Sequence, residues 1–288
     1  MSDHQSLSYA VFVSEQVPTG GLLPDGVPRT WSPLSSTLIS GDTDALLVDP
    51  PFTREQTDLV GDWIEQSGKR LTQIYITHGH GDHWFGAPRL VERFPGVTVY
   101  ATAGTIAQMH VAGSPEQRSW LWDKLFPDQI GETPVIARPV PADGWNLEGH
   151  ALEAVEVGHS DGEATTVLHV PSLGLVVAGD VAYNGVHQFL AEGGHGGLDA
   201  WLRALDTVRS LNPRAVIAGH KNPKLPDDPR ILDQTSDYLR TAQRLLAQGL
   251  SAETFIEQLL SSYPDRLNAT TAYLGVPLLL RSESAAPA

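Results

Sequence analysis

Three histidines and one aspartate stand within six consecutive residues, His78-Gly79-His80-Gly81-Asp82-His83. Residues 73–77, directly before them, are apolar and β-branched enough to predict a short buried strand. Imidazole nitrogens and carboxylate oxygens are ligands for zinc, iron or manganese, and a catalytic zinc keeps one position for water. The two glycines leave room where a side chain would crowd a metal ion. This segment therefore predicts part of a metal centre.

Three further residues of ligand type each follow an apolar strand and a glycine: His159, Asp180 and His220. Active sites of α/β proteins collect their functional groups at the carboxyl ends of strands, so we expect these side chains to meet the first segment. Together the candidates exceed what one metal ion needs, which predicts two adjacent centres. The chain contains no cysteine, so thiolate ligands and disulfides are excluded.

Strands and helices alternate along the chain in a pattern that predicts an α/β fold. The predicted strands form two groups separated by helices, which favours two sheets packed face to face with helices outside. We expect one domain over residues 8–225 and a C-terminal helical extension over residues 226–281 that packs on it. Residues 17–33, rich in proline and glycine, are predicted to form an ordered loop or a lid beside the substrate.

The charge of the chain argues against polyanionic partners. Thirty-four acidic and 19 basic residues give a net charge of -15. Such a surface repels nucleic acid and anionic lipid, so we expect a small-molecule substrate, no nucleic acid and no membrane. The N-terminal residues lack the pattern of a secretory signal, which together with the absence of cysteine predicts a cytoplasmic location. No pattern indicates an oligomeric state.

These motifs resemble those of the metallo-β-lactamase-fold superfamily. Its HxHxDH motif is intact at residues 78–83, and the later His, Asp and His occur in the family order, so that the resemblance spans residues 34–220. It implies a four-layer αβ/βα sandwich of two mixed β-sheets flanked by helices. It also implies that metal one is held by His78, His80 and His159, that metal two is held by Asp82, His83 and His220, and that Asp180 bridges both.

The resemblance implies a hydrolase that holds two zinc ions, with iron or manganese as alternatives. The pair would lower the pKa of a bound water from 15.7 to about 7, and the metal-bound hydroxide would attack an ester or lactone carbonyl. Asp82 and Asp180 are the expected catalytic carboxylates. Tyr183 is similar to a tyrosine of the acyl-homoserine-lactone lactonases that hydrogen-bonds the substrate, and we expect it to do so here. His187 and His195 follow closely enough to be candidates for substrate contact.

Other interpretations of the same ligands stay open. A glyoxalase II-like thioesterase would use all of them, although the segment His159-Ser160-Asp161-Gly162-Glu163 ends in Glu where that family has His. A mono-iron dioxygenase of the persulfide type shares much of the motif. A non-catalytic metal-binding scaffold is the alternative outside the enzymes.

Overall fold

The computed structural model describes residues 6–131 and 133–284, so the first five residues, on which the predicted location partly depends, lie outside it. The strands are β1 (Ser8–Val13), β2 (Val17–Leu22), β3 (Pro28–Trp31), β4 (Ser35–Ser40), β5 (Asp44–Val48), β6 (Arg70–Tyr75), β7 (Thr98–Ala101), β8 (Arg138–Pro139), β9 (Asn146–Leu147), β10 (His150–Ala151), β11 (Glu153–Gly158), β12 (Thr165–Val170), β13 (Leu175–Asn184) and β14 (Ala215–Lys221). The helices are α1 (Arg54–Gln66), α2 (Ala87–Arg93), α3 (Ala103–Ala112), α4 (Pro115–Gln117), α5 (Asp123–Leu125), α6 (Gly197–Ser210), α7 (Ile231–Leu246), α8 (Ala252–Ser262) and α9 (Thr270–Ser284).

Two mixed sheets form the centre of the fold. The first has the strand order β1-β4-β5-β6-β7-β8, with antiparallel pairs on the β1 side and parallel pairs from β5 to β8. The second has the order β11-β12-β13-β14, in which β13 and β14 are parallel. Residues Leu34 and His220 form an isolated bridge between the two halves, which brings the end of β14 to the start of β4.

Three apolar cores separate four layers. One core lies between the sheets and includes Leu46, Leu168 and Ile217. A second lies between the outer face of the first sheet and α1 to α3, and a third between the outer face of the second sheet and α6 to α9. The order helix, sheet, sheet, helix is the predicted αβ/βα sandwich. Both faces of each sheet are covered by apolar side chains, which explains why strands such as β5 are continuous hydrophobic runs.

One element differs from the sequence expectation, and two further elements were not anticipated from the sequence. Residues 17–33 are not a loop but contain the antiparallel hairpin β2–β3, because β-branched and apolar residues flank the glycine turn. Residues 115–125 are helical, with a π-helical turn at Arg118–Trp122. The chain closes with α9, which continues through Pro277 and lies against β3 and the 191–193 turn. Within the described residues, no helix is long and apolar enough to cross a membrane.

Candidate metal centre

The first group of ligand-type atoms consists of His78 Nε2, His80 Nδ1 and Asp161 Oδ2. Asp161 Oδ2 lies 3.1 Å from His80 Nδ1 and 4.0 Å from His78 Nε2. His78 and Asp161 are buried, and His80 is partly exposed. The three atoms lie within 4.8 Å of one another, so they could hold one metal ion.

The second group consists of Asp82, His83 and His220. His220 Nε2 lies 3.3 Å from Asp82 Oδ2, and His83 Nε2 lies 3.8 Å from the same oxygen. Asp180 joins this group, with Oδ1 3.3 Å from His83 Nε2 and Oδ2 3.3 Å from His220 Nε2. The rings of His78 and His83 are only 4.2 Å apart between centroids, so the two groups adjoin.

Unpaired buried atoms test whether this set fits metal ions. His78 Nε2, His83 Nε2 and Asp180 Oδ1 are buried and have no hydrogen-bond partner in the described chain. Each such atom would cost about 1–3 kcal/mol if nothing bound it. Two ligands on a tetrahedral zinc, each about 2.1 Å from the ion, lie roughly 3.4 Å apart, close to the Asp–His separations here. The donor set therefore fits zinc or a similar divalent cation.

Hydrogen bonds behind the ligands set their orientation. Asp49 accepts from Thr77 and faces His83 Nδ1 at 3.2 Å, so His83 directs Nε2 into the site. His220 Nδ1 likewise donates to the carbonyl oxygen of Pro33, at 3.1 Å. Such partners fix the tautomer of a metal-binding histidine and raise its basicity. Asp49 was absent from the sequence prediction, because its role depends on β5 lying beside β6.

Burial and close charges shift the titration of the metal-free site. Burial alone would raise the pKa of Asp180, but His220 and His83 hold it well below its usual value. Burial lowers the pKa of His78 well below 6.5, which keeps its lone pair free. Burial would also lower the pKa of His80, but the carboxylate of Asp161 raises it to about 9. Bound cations would replace the protons that these pairs share.

Glycines before two ligands are required by close approach. A Cβ at Gly219 would lie 2.0 Å from Asp180 Oδ1, and a Cβ at Gly179 would lie 2.4 Å from Thr77 Oγ1. Gly179 also has a φ of +50°, a conformation that side chains disfavour. The glycine that precedes each of these ligands thus lets β13 and β14 bring Asp180 and His220 together.

The structure brings six of the seven predicted ligands together and leaves His159 outside. His159 Nε2 lies 2.8 Å from the carbonyl oxygen of Glu192, and Nδ1 lies 3.0 Å from Glu163 Oε1. Asp161, two residues later, occupies the place beside His78 and His80. The reason is a bulge at the end of β11, where Gly158 has a φ of +84° and the pairing register shifts. The sequence prediction placed His159 directly after an apolar strand and a glycine, and it contained no signal for this bulge.

Tyr183 lies at the site, whereas the two additional histidines do not. The Tyr183 hydroxyl donates a 2.9 Å hydrogen bond to Asp180 Oδ2, and its ring stacks on His220. His187 is buried against Tyr238, with Nδ1 3.1 Å from its hydroxyl. Neither His187 nor His195 is among the described residues that line the site cavity.

A cavity of about 720 Å³ opens above the ligands. Its walls come from the β2–β3 hairpin, the 111–122 segment and α9. Its apolar lining includes Trp31, Val111, Trp120, Leu121, Trp122, Phe189, Leu274 and Leu278. Sequence reasoning missed the last two elements, because α9 contains a proline and the 111–122 segment has no simple helical period.

Comparison with known proteins agrees with this geometry. The sequence profile of the metallo-β-lactamase superfamily matches residues 29–220, two thirds of the chain. The chain belongs to the metallo-β-lactamase superfamily. The match covers β3 to His220 and therefore every ligand position described above. Both the family and the fold class predicted from the sequence are confirmed.

Relatives within the superfamily are distant. A solved metallo-β-lactamase family protein from Thermus thermophilus superimposes with a TM-score of 0.64 at 20% identity, covering 96% of this chain and 94% of that one. A type 2 metallo-β-lactamase of Bacteroides fragilis is 22% identical over 191 residues, 65% of this chain and 69% of that protein. A hydroxyacylglutathione hydrolase of Francisella philomiragia is 36% identical over 66 residues, 23% of this chain and 25% of the hydrolase. The chain thus matches only a quarter of that hydrolase's length.

Proposed function

We propose that this protein is a dinuclear zinc-dependent hydrolase that cleaves an ester or lactone bond in a small, largely apolar molecule. The observation that carries the proposal is the pair of adjoining ligand groups at the floor of the cavity, with Asp180 between His83 and His220 of the second group. When bound, two such cations supply a nucleophilic hydroxide at neutral pH and polarise a carbonyl oxygen.

The chain's own residues hold the site in one arrangement. Asp180 Oδ2 accepts from the Tyr183 hydroxyl while it faces His220 Nε2. Trp31 Nε1 donates to Asp82 Oδ2 from the opposite wall. The carboxylates of Asp180 and Asp82 are therefore each oriented by a neutral hydrogen-bond donor, and each keeps its negative charge. We expect the Tyr183 hydroxyl, which lines the cavity, to reach the developing oxyanion or the leaving oxygen of a bound substrate.

The cavity walls support a substrate with an apolar body. Trp120 is 64% exposed and Val111 is 55% exposed, yet both line the cavity. Large apolar groups left in water beside an active site are typical of a surface that a ligand covers. The net charge of -15 also favours a small substrate over a polyanion, because a negative surface opposes the approach of polyanions. We therefore propose small-molecule substrates, with RNA and polyphosphates excluded.

A thioesterase of the glyoxalase II kind is the second candidate, supported by the match to hydroxyacylglutathione hydrolases. The charged residues that line the cavity favour this candidate less than they favour the ester or lactone hydrolase. Among the described lining residues outside the ligand groups, Glu163 and Glu192 are acidic and Arg281 is basic. A glutathione conjugate carries two carboxylates, and this lining offers it one guanidinium and two repelling groups.

The experiment is a substrate panel measured with purified protein. Uncharged acyl lactones and aryl esters should be hydrolysed with little dependence on salt, and glutathione thioesters and RNA should react poorly. A metal chelator or His78→Ala should abolish the activity, because the first removes the ions and the second removes a ligand. Faster turnover of glutathione thioesters than of every ester and lactone would favour the second candidate. Efficient cleavage of RNA that is lost in His78→Ala would overturn the proposal.

A further inference from the structure

We propose that Trp120, together with Leu274 and Leu278 of α9, forms an apolar subsite that selects the substrate by binding its apolar body beside the metal centre. The inference deepens the proposed function and rests on it, because the subsite belongs to the same cavity. The superfamily match ends at residue 220, whereas α9 begins at Thr270. One of the two walls of this subsite therefore lies in a part of the chain that the match does not cover.

One face of α9 lines the cavity. The residues on this face recur at helical spacing and are Thr271, Leu274, Leu278 and Arg281. The opposite face packs in the apolar core of this half of the molecule, where Ala272, Val276 and Leu279 are buried. α9 thus buries one face in the protein and presents two half-buried leucines to the cavity.

Contacts at its start and in its middle hold α9 in place. At the start, the amide of Thr30 in β3 donates a 3.1 Å hydrogen bond to Thr270 Oγ1. In the middle, a Cβ at Gly275 would lie 2.8 Å from the backbone nitrogen of Leu190, so the helix packs closely on the segment that follows β13. The apolar face of α9 is therefore in position before a ligand binds, which lowers the entropic cost of binding.

Trp120 lies on the other wall, in a segment whose neighbouring residues are anchored. The guanidinium carbon of Arg118 lies 5.3 Å from the centre of the Phe85 ring, and the rings of Trp122 and Trp31 lie 5.3 Å apart. Arg118 and Trp122 are buried, yet Trp120 between them is 64% exposed. The segment is a π-helical turn, a feature frequent at functional sites. Trp120 is therefore held at the surface by an anchored turn and not by a loose one.

The exposure of Trp120 points to a ligand. Among the large apolar side chains in the described part of the protein it is the most exposed, and it lines the same cavity as Asp82 and Asp180. Covering a tryptophan side chain removes about 150–250 Å² from water. Leu274 and Leu278 offer further apolar surface across the cavity. A ligand that reaches the metal centre with one end therefore gains affinity by placing an apolar group between these walls.

The subsite specifies the class of substrate. An ester with an acetyl group leaves Trp120 and Leu278 in water, whereas an ester with a longer aliphatic acyl group covers them. Each methylene that reaches these walls should raise kcat/KM by about 2–4-fold. We therefore expect octanoyl esters to be preferred to acetyl esters of the same alcohol by roughly 50-fold or more.

Ketone binding tests the subsite without catalysis, because a ketone has no bond for a hydrolase to cleave. Methyl hexyl ketone and methyl ethyl ketone present the same carbonyl to the metal centre, so the ratio of their affinities isolates the apolar group. Isothermal titration calorimetry of the zinc-loaded protein measures both. We expect the hexyl ketone to bind about 10–100-fold more tightly in the wild type. Trp120→Ala and Leu278→Ser should each lower that ratio about 5–10-fold.

Tyr9→Ala is the matched control. It removes an exposed aromatic side chain that is not among the described residues lining the cavity, so it should leave the ratio unchanged. Hydrolysis of octanoyl and acetyl esters gives the second readout, and the ratio of their kcat/KM values should fall about 5–10-fold in Trp120→Ala, mainly through KM. Circular dichroism establishes that each variant is folded.

Equal affinity of the two ketones in the wild type would overturn the proposal. A ratio in Trp120→Ala equal to that in the wild type would overturn it as well, and so would an equal decrease in Tyr9→Ala. The proposed hydrolase activity is tested separately: if the ketones bind as expected and no ester or lactone is hydrolysed, the subsite is supported and the proposed function fails.

Discussion

The indole nitrogen of Trp31 donates a 2.8 Å hydrogen bond to Oδ2 of Asp82. This bond connects the β2–β3 hairpin to the HGHGDH segment, so the hairpin that forms one wall of the cavity also orients a metal ligand. The Trp31 ring packs on Phe52, Trp122 and Phe126, which keeps the indole in place.

Trp31→Phe tests this connection. Phenylalanine keeps most of the aromatic packing but removes the N–H donor, so Asp82 should be less well oriented toward metal two. We expect metal affinity at one of the two sites to fall about 10-fold, as for other residues that support a metal ligand. Competition with a chromophoric chelator measures it. Trp145→Phe is the matched control, since it removes an indole whose hydrogen bond goes to Gln73 and not to a candidate ligand. Equal effects of the two substitutions would show that the bond to Asp82 has no special role.

Tyr183→Phe tests the hydroxyl next to the carboxylate of Asp180. We expect both metals to remain bound and kcat to fall about 10–100-fold, because Asp180 loses a donor and the substrate loses a contact. Steady-state kinetics on the best ester or lactone, with parallel metal analysis, measures the effect. Tyr238→Phe removes a buried hydroxyl that contacts His187 instead and should leave kcat unchanged. If the Tyr183→Phe enzyme were as fast as the wild type, Tyr183 would contribute only to packing.

Gly219→Ala tests the close approach of β14 to the carboxylate of Asp180. The added methyl group would lie 2.0 Å from Asp180 Oδ1, so either the carboxylate or β14 has to move. We expect a loss of about 1–3 kcal/mol in unfolding free energy, together with weaker metal binding. Denaturant titration and metal analysis provide the two measurements. Gly131→Ala, whose added methyl group meets no described atom within 4 Å, should change neither. Full metal content in Gly219→Ala would contradict the argument.

His187 predicts a pH dependence of stability. Burial, with a smaller contribution from Arg266, lowers its pKa to about 4 in the folded protein. The unfolded chain, with an ordinary histidine pKa near 6.5, binds the proton more readily between about pH 4 and 6.5. The stability that the folded protein has while His187 is neutral is therefore fully present above about pH 6.5. It is lost as the pH falls toward 4.

The measurement is the unfolding free energy at pH 7 and at pH 5 for wild type and His187→Gln. Wild type should lose about 1–2 kcal/mol more than the variant over this interval. The subtraction removes the contributions of the metal ligands, which the two proteins share. Parallel losses in both proteins would show that His187 does not titrate in this way.

The sequence was sufficient for the family, the fold class and six candidate ligands that the structure brings together. His78, His80, Asp82 and His83 lie in one short segment, so their proximity is a local property of the chain. Asp180 and His220 each follow an apolar run and a glycine, and although β13 continues past Asp180 to Asn184, the two residues lie on neighbouring parallel strands and therefore come close together. Periodicity and spacing are enough for conclusions of this kind.

Tertiary structure alone decided the remaining parts of the site. A bulge at Gly158 reverses the side-chain phase after β11, and this turns His159 toward Glu192 and brings Asp161 to His80. The apolar walls depend on where α9 and the 111–122 segment pack, which no local pattern encodes. Side-chain direction alternates every residue along a strand, so one irregular residue changes which of the following side chains faces the site. The six candidate ligands that lie together could therefore be predicted from the chain, whereas the placement of His159 and Asp161 depended on the backbone conformation at Gly158.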